Sequence, residues 1–382
     1  MKVLILGADG YLGWPTAMYF SQRGHEVIAV DNYCKRLSAL ELDSESLIPV
    51  PNLERRADTW ESKSSKKISV HVGDVTNYEF LLSVFKKYNP DTVIHYAEQP
   101  SAPFSMLNRD KAAFTVTNNL ITTLNIAYAV REVNPECHII KLGTMGEYGT
   151  PNIDIEEGWM EIEHNGRKDK FLFPRQASSL YHTTKIQDTD LLWLYVRTWG
   201  LKVTDLMQGP VYGVSTDESD LHPDLLPCFH YDEIFGTVVN RFVVQAVSAH
   251  PLTIYGSGSQ IRGYLNIRDT MQCVYLSATS PASKGELRIF NQVTETFSVM
   301  ELAKKVKETG DRLGHKVEIR HQENPRVERE EHYYNPKYTG LLEMGLKPHF
   351  LSGETLEGMF RVVEQYKNNI NKGAIFRGVQ WK

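Results

Sequence analysis

The apolar positions of this chain fall into short unbroken runs separated by longer stretches of mixed polarity. Val3 to Leu6 is one such run, continuous as in a strand buried on both faces. Further strands read at Glu26 to Val30, Ile68 to Val72, Thr92 to Tyr96, His138 to Leu142 and Lys202 to Leu206, with helical stretches between them. Strand and helix in alternation predict an α/β fold, a doubly wound parallel sheet. Two stretches break the pattern. Cys34 to Lys67 is polar and charged and holds Pro49, Pro51 and Trp60; Thr150 to Arg175 is rich in charge and holds Pro151 and Pro174. Both read as long loops, of the kind that form lids or insertions. Beyond about Gly209 the alternation loosens. Helices are expected at Asp232 to His250, Asp269 to Ser280, Ser298 to Leu313 and Ser352 to Tyr366. The expected division is residues 1–208 for the first domain, with insertions near 34–67 and 150–175. Residues 209–382 would form a smaller α/β lobe that returns some segments to the first domain.

The first strand runs into Gly7-Ala8-Asp9-Gly10-Tyr11-Leu12-Gly13. Glycines spaced by three between a strand and a helix permit a tight turn and close approach of backbone to a pyrophosphate, with the helix N-terminus facing the charge. The second strand closes at Asp31, 18 residues past Gly13, where a dinucleotide fold places a carboxylate on the adenosine ribose diol. That carboxylate repels a 2′-phosphate and favours NAD over NADP, although Lys35 and Arg36 stand nearby with the opposite charge. Asp74, past the third strand, has two readings. It can accept a hydrogen bond from an adenine amino group, or cap a helix starting near Asn77. His95 to Gln99 ends the fourth strand at the carboxyl edge of the sheet, where ligands sit in such folds.

A chain of 382 residues, 41% hydrophobic and 23% charged, has the composition of a soluble globular protein with a large core. The net charge of -5 provides no global basic field for nucleic acid or anionic lipid, so any bound phosphate must be held locally. Four cysteines, Cys34, Cys137, Cys228 and Cys273, are widely spaced, as free thiols of a reducing compartment are, and suggest no metal site. The apolar start is too short for a signal peptide, and no run of about 18 apolar residues exists to span a membrane. A cytoplasmic protein is expected.

Tyr181 and Lys185 stand four apart in the proline-free run from Ser178 to Trp199, which predicts a long helix. Their side chains then share one face, about 5 to 6 Å apart, where an ammonium favours the phenolate. Moving a phenol from about 10 to near 7 takes about 4 kcal/mol, more than one partly wetted lysine supplies, so a second cation or oriented dipoles must help. A second Tyr-x-x-x-Lys, Tyr333 to Lys337, contains Pro336 and is expected in a loop. The run Tyr255 to Arg262 is a glycine-rich turn ending in arginine, suited to a phosphate or to turn geometry alone.

In this order, the glycine turn, Asp31, Asp74, Gly143-Thr144 and Tyr181 to Lys185 resemble the extended short-chain dehydrogenase/reductases, a Rossmann-like family, along nearly the whole chain. More closely, Lys141 to Ile155, Glu98-Gln99, Ser101-Ala102-Pro103, Tyr181-His182, Phe235-Gly236-Thr237 and Pro325 to Glu328 resemble the family of UDP-sulfoquinovose synthases. The resemblance implies NAD as cofactor, UDP-glucose and sulfite as substrates, a homodimer through the helices near Arg109 to Val130 and Ser178 to Trp199, and a grouping with the hydrolases. It implies cofactor contacts at Gly7, Asp9, Gly10, Tyr11, Leu12 and Gly13, at Asp31, Asn32, Lys35 and Arg36, and at Asp74 and Val75. Tyr96, Ala97, Glu98, Asn118, Tyr181 and Lys185 complete that set. For the nucleotide sugar it implies Gln208, Val211, Tyr212, Asn240, Gln260, Arg262 and Arg326, and for sulfite Gln99, Ser101, Thr144 and His182. Arginine occupies position 100 in plant-type members, where this chain has Pro100.

The implied chemistry is oxidation at sugar C4 with Tyr181 as base and Thr144 on the same hydroxyl, loss of the C5 proton and C6 hydroxyl, sulfite addition at C6 and reduction at C4. Related 4,6-dehydratases carry Thr-Asp-Glu where this chain has Thr144-Met145-Gly146. Without that acid and base, His182 and Glu147 are the candidates for C5. His182 is also readable as a packed core residue, since adjacent helical side chains point about 100° apart. A UDP-glucose 4-epimerase or another nucleotide-sugar epimerase/dehydratase shares Thr144, Tyr181 and Lys185, and a non-catalytic NAD-binding sensor is a more distant alternative.

Overall fold

The computed structural model describes residues 1–324 and 333–376. Arg326 and the rest of the Pro325 to Glu328 motif lie outside the described residues. Strands β1 (Lys2–Leu6), β2 (Glu26–Asp31), β3 (Ile68–Val72), β4 (Thr92–His95) and β5 (His138–Thr144) alternate with helices. A hairpin of β6 (Trp159–His164) and β7 (Arg167–Leu172) follows, then β8 (Lys202–Gln208), β9 (Val211–Tyr212), β10 (Leu252–Tyr255), β11 (Ile261–Asn266) and β12 (Leu287–Gln292). Seven of these form one sheet in the order β12-β8-β5-β4-β1-β2-β3, every neighbour parallel. The order reverses between β1 and β4, and the crevice beyond the carboxyl ends at that point is where ligands bind in open α/β sheets.

Each predicted strand of the sheet forms, and β5 and β8 run two residues further, to Thr144 and Gln208. β12 comes from the C-terminal half and pairs with β8 from Leu287↔Val203 to Gln292↔Gln208. Val3 and Ile5 of β1 pack on one side of the sheet with Trp14 and Ala17; Leu4 and Leu6 pack on the other with Phe85 and Ile126. A separate core gathers Phe242, Val243, Ile254, Leu302, Val306 and Phe360 from the C-terminal half.

The two polar stretches are not loops. Residues 34–67 hold helices Cys34–Glu41 and Leu53–Ser64, and residues 150–175 hold the β6–β7 hairpin. Their faces are mostly solvated, so few apolar residues marked the periodicity; Leu53, Arg56 and Trp60 are the buried residues of the second helix. The helix expected from Asp232 begins at Val238, because the Asp232 carboxylate accepts from the backbone of Ile234 and Phe235 and closes a turn first. Tyr333 to Lys337 is non-helical, with a bridge from Pro336 to Ile155.

Candidate active site

A cavity of about 1690 Å³ opens above the carboxyl edge of the sheet, between the two cores. One small ligand needs roughly 300 to 1,000 Å³, so there is room for two large ones. At its floor lies the glycine turn. Gly7 has φ +83°, and a Cβ there would come within 2.6 Å of the Tyr96 backbone; one at Gly13 would come within 2.1 Å of the Gly7 carbonyl. The following helix, Gly13–Gln22, has no side-chain cap and no acid in its first turn. Backbone pressed to backbone below an uncapped helix start fits a pyrophosphate. Asp31 lines the same wall, accepting from the backbone of Asp9 at 2.9 Å and of Tyr33 at 2.7 Å. Burial, and secondarily Asp9, lifts its carboxyl to about 6. These residues fit an adenine dinucleotide.

The tyrosine helix, Leu180–Trp199, starts where it does because Ser179 accepts from the His182 N–H at 3.2 Å. Such a cap contributes about 1 kcal/mol. Tyr181 and His182 therefore fall in the first turn, at the cavity edge, and both line it, their ring centroids 5.2 Å apart. Opposite them, Gly146 sits so close that a Cβ would lie 2.3 Å from His182 Nε2, while Nδ1 is 3.4 Å from Ser178 Oγ. The imidazole thus fills the space that a side chain at position 146 would take. Thr144 ends β5 and caps the short turn Met145–Glu147, its Oγ1 accepting from Gly146 at 3.2 Å.

Lys185 does not stand free beside Tyr181. It is buried, does not line the cavity, and donates to Glu98, which does. Burial opposes ionisation of Glu98, but Lys185 overcomes it and brings the carboxyl to about 2. Around Tyr181 the balance is unfavourable to a phenolate. Burial raises its pKa, Glu98 and Glu147 raise it further, and Lys141 alone among the leading influences, with Asp188 also raising, acts downward. The ammonium expected to activate the tyrosine is neutralised by a carboxylate that spacing along one helix does not reveal.

Four further expectations need correction. Glu147 is fully buried beneath the site and absent from the cavity wall: it accepts from the Thr144 N–H at 3.2 Å and from Lys141 at 3.3 Å, and pairs with Arg175 at 3.4 Å. It anchors the turn bearing Thr144 and does not reach a bound sugar. Gln99 is likewise turned inward, donating to the Ser101 carbonyl and to Thr115 Oγ1, both at 3.0 Å. Tyr212 points into the C-terminal half, its hydroxyl donating to Glu295 at 2.8 Å. Asp74 is exposed, off the cavity wall, and its Oδ1 accepts from Thr76; Asn77, not Asp74, caps the helix Tyr78–Tyr88.

The remaining described candidates line the cavity: Asn32, Lys35, Arg36, Val75, Ala97, Asn118 and Ser101 on one side, and Gln208, Val211, Asn240, Gln260 and Arg262 on the other. Asn240 joins the two, donating to the Tyr11 hydroxyl at 3.4 Å. Sequence reasoning missed Arg241, a buried guanidinium beside Asn240 on the cavity wall whose Nε lacks a hydrogen-bond partner. A basic residue next to a mapped contact was the available signal.

Beneath the wall, Lys141 donates to Thr189 at 2.7 Å and to Asp205 at 3.1 Å, besides Glu147. All three charged groups are fully buried. Removing one member of a buried charge network leaves its partners uncompensated. Lys141→Met should therefore lose about 3 to 5 kcal/mol of unfolding free energy in urea; a loss below about 1 kcal/mol would show the network to be dispensable.

The sheet order, the glycine turn and the Thr144, Tyr181 and Lys185 set are those of a dinucleotide-dependent enzyme of the short-chain dehydrogenase/reductase type. The chain belongs to the NAD dependent epimerase/dehydratase family, whose model matches residues 3–291. Within it, the chain is similar over its entire length to the chloroplastic UDP-sulfoquinovose synthase of Spinacia oleracea, 49% identical and covering 79% of that protein. It is 44% identical to the UDP-sulfoquinovose synthase of Sulfolobus acidocaldarius, covering 100% of this chain and 98% of that one. The fold matches a UDP-glucose 4-epimerase structure from Thermotoga maritima with a TM-score of 0.72 at 20% identity, over 96% and 99% of the two chains. The chain is an NAD-dependent enzyme. The expected grouping with hydrolases does not hold: the family model is that of the epimerases and dehydratases, and the similar proteins are synthases.

Proposed function

We propose that this chain converts UDP-glucose and sulfite to UDP-sulfoquinovose. The observation that carries the reading is His182 Nε2 against Gly146, at the position where a 4,6-dehydratase carries its acidic pair; the two synthases similar over the whole chain support it. Bound NAD supplies the two-electron oxidation at C4 and its reversal. Tyr181 takes the 4-hydroxyl proton, with Thr144 donating to the same oxygen. The resulting 4-ketone acidifies C5–H, and His182, on the cavity wall beside Tyr181, removes that proton as the C6 hydroxyl departs as water with a proton from solvent. Sulfite then adds at C6 of the unsaturated ketone while His182 returns its proton to C5, and Tyr181 returns its proton to the C4 oxygen. Ser101, Thr144 and His182 line the wall from which a small dianion is bound. Gln260, Arg262, Asn240 and Arg241 hold the UDP, the guanidinium groups offsetting its diphosphate.

A homodimer belongs to the same proposal. Phe114, Ile121 and Tyr128, seven residues apart on the helix Arg109–Val133, and Leu194 on Leu180–Trp199 are exposed apolar side chains on adjacent helices. Among the described residues no helix is long and apolar enough to cross a membrane. The four free cysteines suit a reducing compartment, and on that ground we place the protein in the cytoplasm.

The test is to incubate the purified chain with UDP-glucose, with and without sulfite, and follow products by mass. A sulfonated nucleotide sugar should form only with sulfite, from a species twice the 43.6 kDa chain mass in light scattering. UDP-galactose as the sole product would replace the proposal with epimerisation, and a monomer would remove the dimer.

A further inference from the structure

Two cations follow Asp31, and an arginine or lysine at that place is what a 2′-phosphate needs. Arg36 is nevertheless engaged elsewhere. Its Nε donates to Asp9 Oδ2 and its Nη2 to Asp9 Oδ1, both at 2.5 Å; Nη2 also donates to the Pro51 carbonyl and Nη1 to the Val50 carbonyl, both at 2.6 Å. Four of the five N–H groups of a guanidinium are thereby taken. Asp9 is held from a second side by Arg56, which is fully buried, 3.4 Å from Oδ1 and 4.6 Å above the Trp14 ring. The Asp9 backbone N–H, in turn, donates to Asp31. One residue of the glycine turn thus orients the ribose carboxylate and holds the nearest guanidinium in a fork.

We propose that Asp9 is a cofactor-selectivity residue: by locking Arg36 against the glycine turn it keeps that cation off the adenosine ribose, so a 2′-phosphate would meet Asp31 with no compensating guanidinium. Position, not composition, decides the preference. The helices Cys34–Glu41 and Leu53–Ser64, which carry Arg36 and Arg56, are the part of the 34–67 insertion that builds the lock. Lys35, the other cation, stands 5.3 Å from the Phe235 ring centroid on the far wall.

The test is direct binding of NADH and NADPH to the full chain, read by nucleotide fluorescence, so it does not depend on which sugar the enzyme turns over. Asp9→Asn should tighten NADPH binding by roughly tenfold relative to NADH, because Arg36 is released toward the ribose. In Asp9→Asn combined with Arg36→Gln the gain should vanish. If Asp9→Asn does not fold, Asp9→Ser removes the charge with a smaller side chain and should show the same gain. An unchanged NADPH to NADH ratio in a folded variant of Asp9 would overturn the proposal. So would a gain that survives loss of Arg36, since Lys35 would then be its source.

Discussion

Tyr181→Phe is expected to lower turnover by about 10² to 10⁴-fold, the range for loss of a positioned acid–base group, with nucleotide binding little changed. The reason for a large effect lies in the electrostatics that the protein's own groups create around the phenol. Burial first, then Glu98 and Glu147, hold the phenol above its ordinary range, and Lys185 is already paired with Glu98. The tyrosine is therefore protonated at neutral pH until positive charge enters the cavity, and an oxidised nicotinamide carries one. The base form is the one that oxidises C4, so that step should speed up as pH rises and level off above the phenol's pKa in the NAD-bound enzyme. Single-turnover oxidation of UDP-glucose, followed across pH by absorbance of the reduced cofactor, checks both parts. A phenylalanine variant keeping more than about a tenth of the rate would mean that another group takes the proton.

His182→Ala should separate the two halves of the reaction. Exchange of the sugar C5 proton with solvent deuterium is expected to fall by about 10² to 10⁴-fold, while C4 oxidation falls less than about tenfold. The expectation follows from placement: the imidazole lines the cavity beside Tyr181 and lies over Gly146, its Nδ1 near Ser178. Equal slowing of both steps would leave His182 as a packing residue of the tyrosine helix and no more.

Much of this was legible along the chain. Strands buried on both faces are rich in apolar residues, most clearly in β1, and the edge strand β3 keeps an alternating apolar pattern, so β1 through β5 and β8 could be read within a residue or two at each end. The glycine turn was legible because only glycine fits where a Cβ would lie within 3 Å of neighbouring backbone, as at Gly7 and Gly13. The helices of residues 34–67 were not, since they turn mostly polar faces to solvent and bury only a few side chains each.

By itself, then, the order of residues determined the parallel sheet, the dinucleotide turn with Asp31, and Tyr181 and Lys185 four apart at the start of a helix. Those are local properties, set by backbone sterics and by periods of two and 3.6 residues. Tertiary structure alone decided which charges meet. Glu98 and Lys185 are 87 positions apart, Asp9 and Arg36 27, and Lys141 and Asp205 64, and no periodicity links the members of any pair. Ion pairing falls off with distance in space and is strengthened by burial. The protonation of Tyr181, the inward turn of Glu147 and Gln99, and the lock on Arg36 therefore become visible only when the chain has folded.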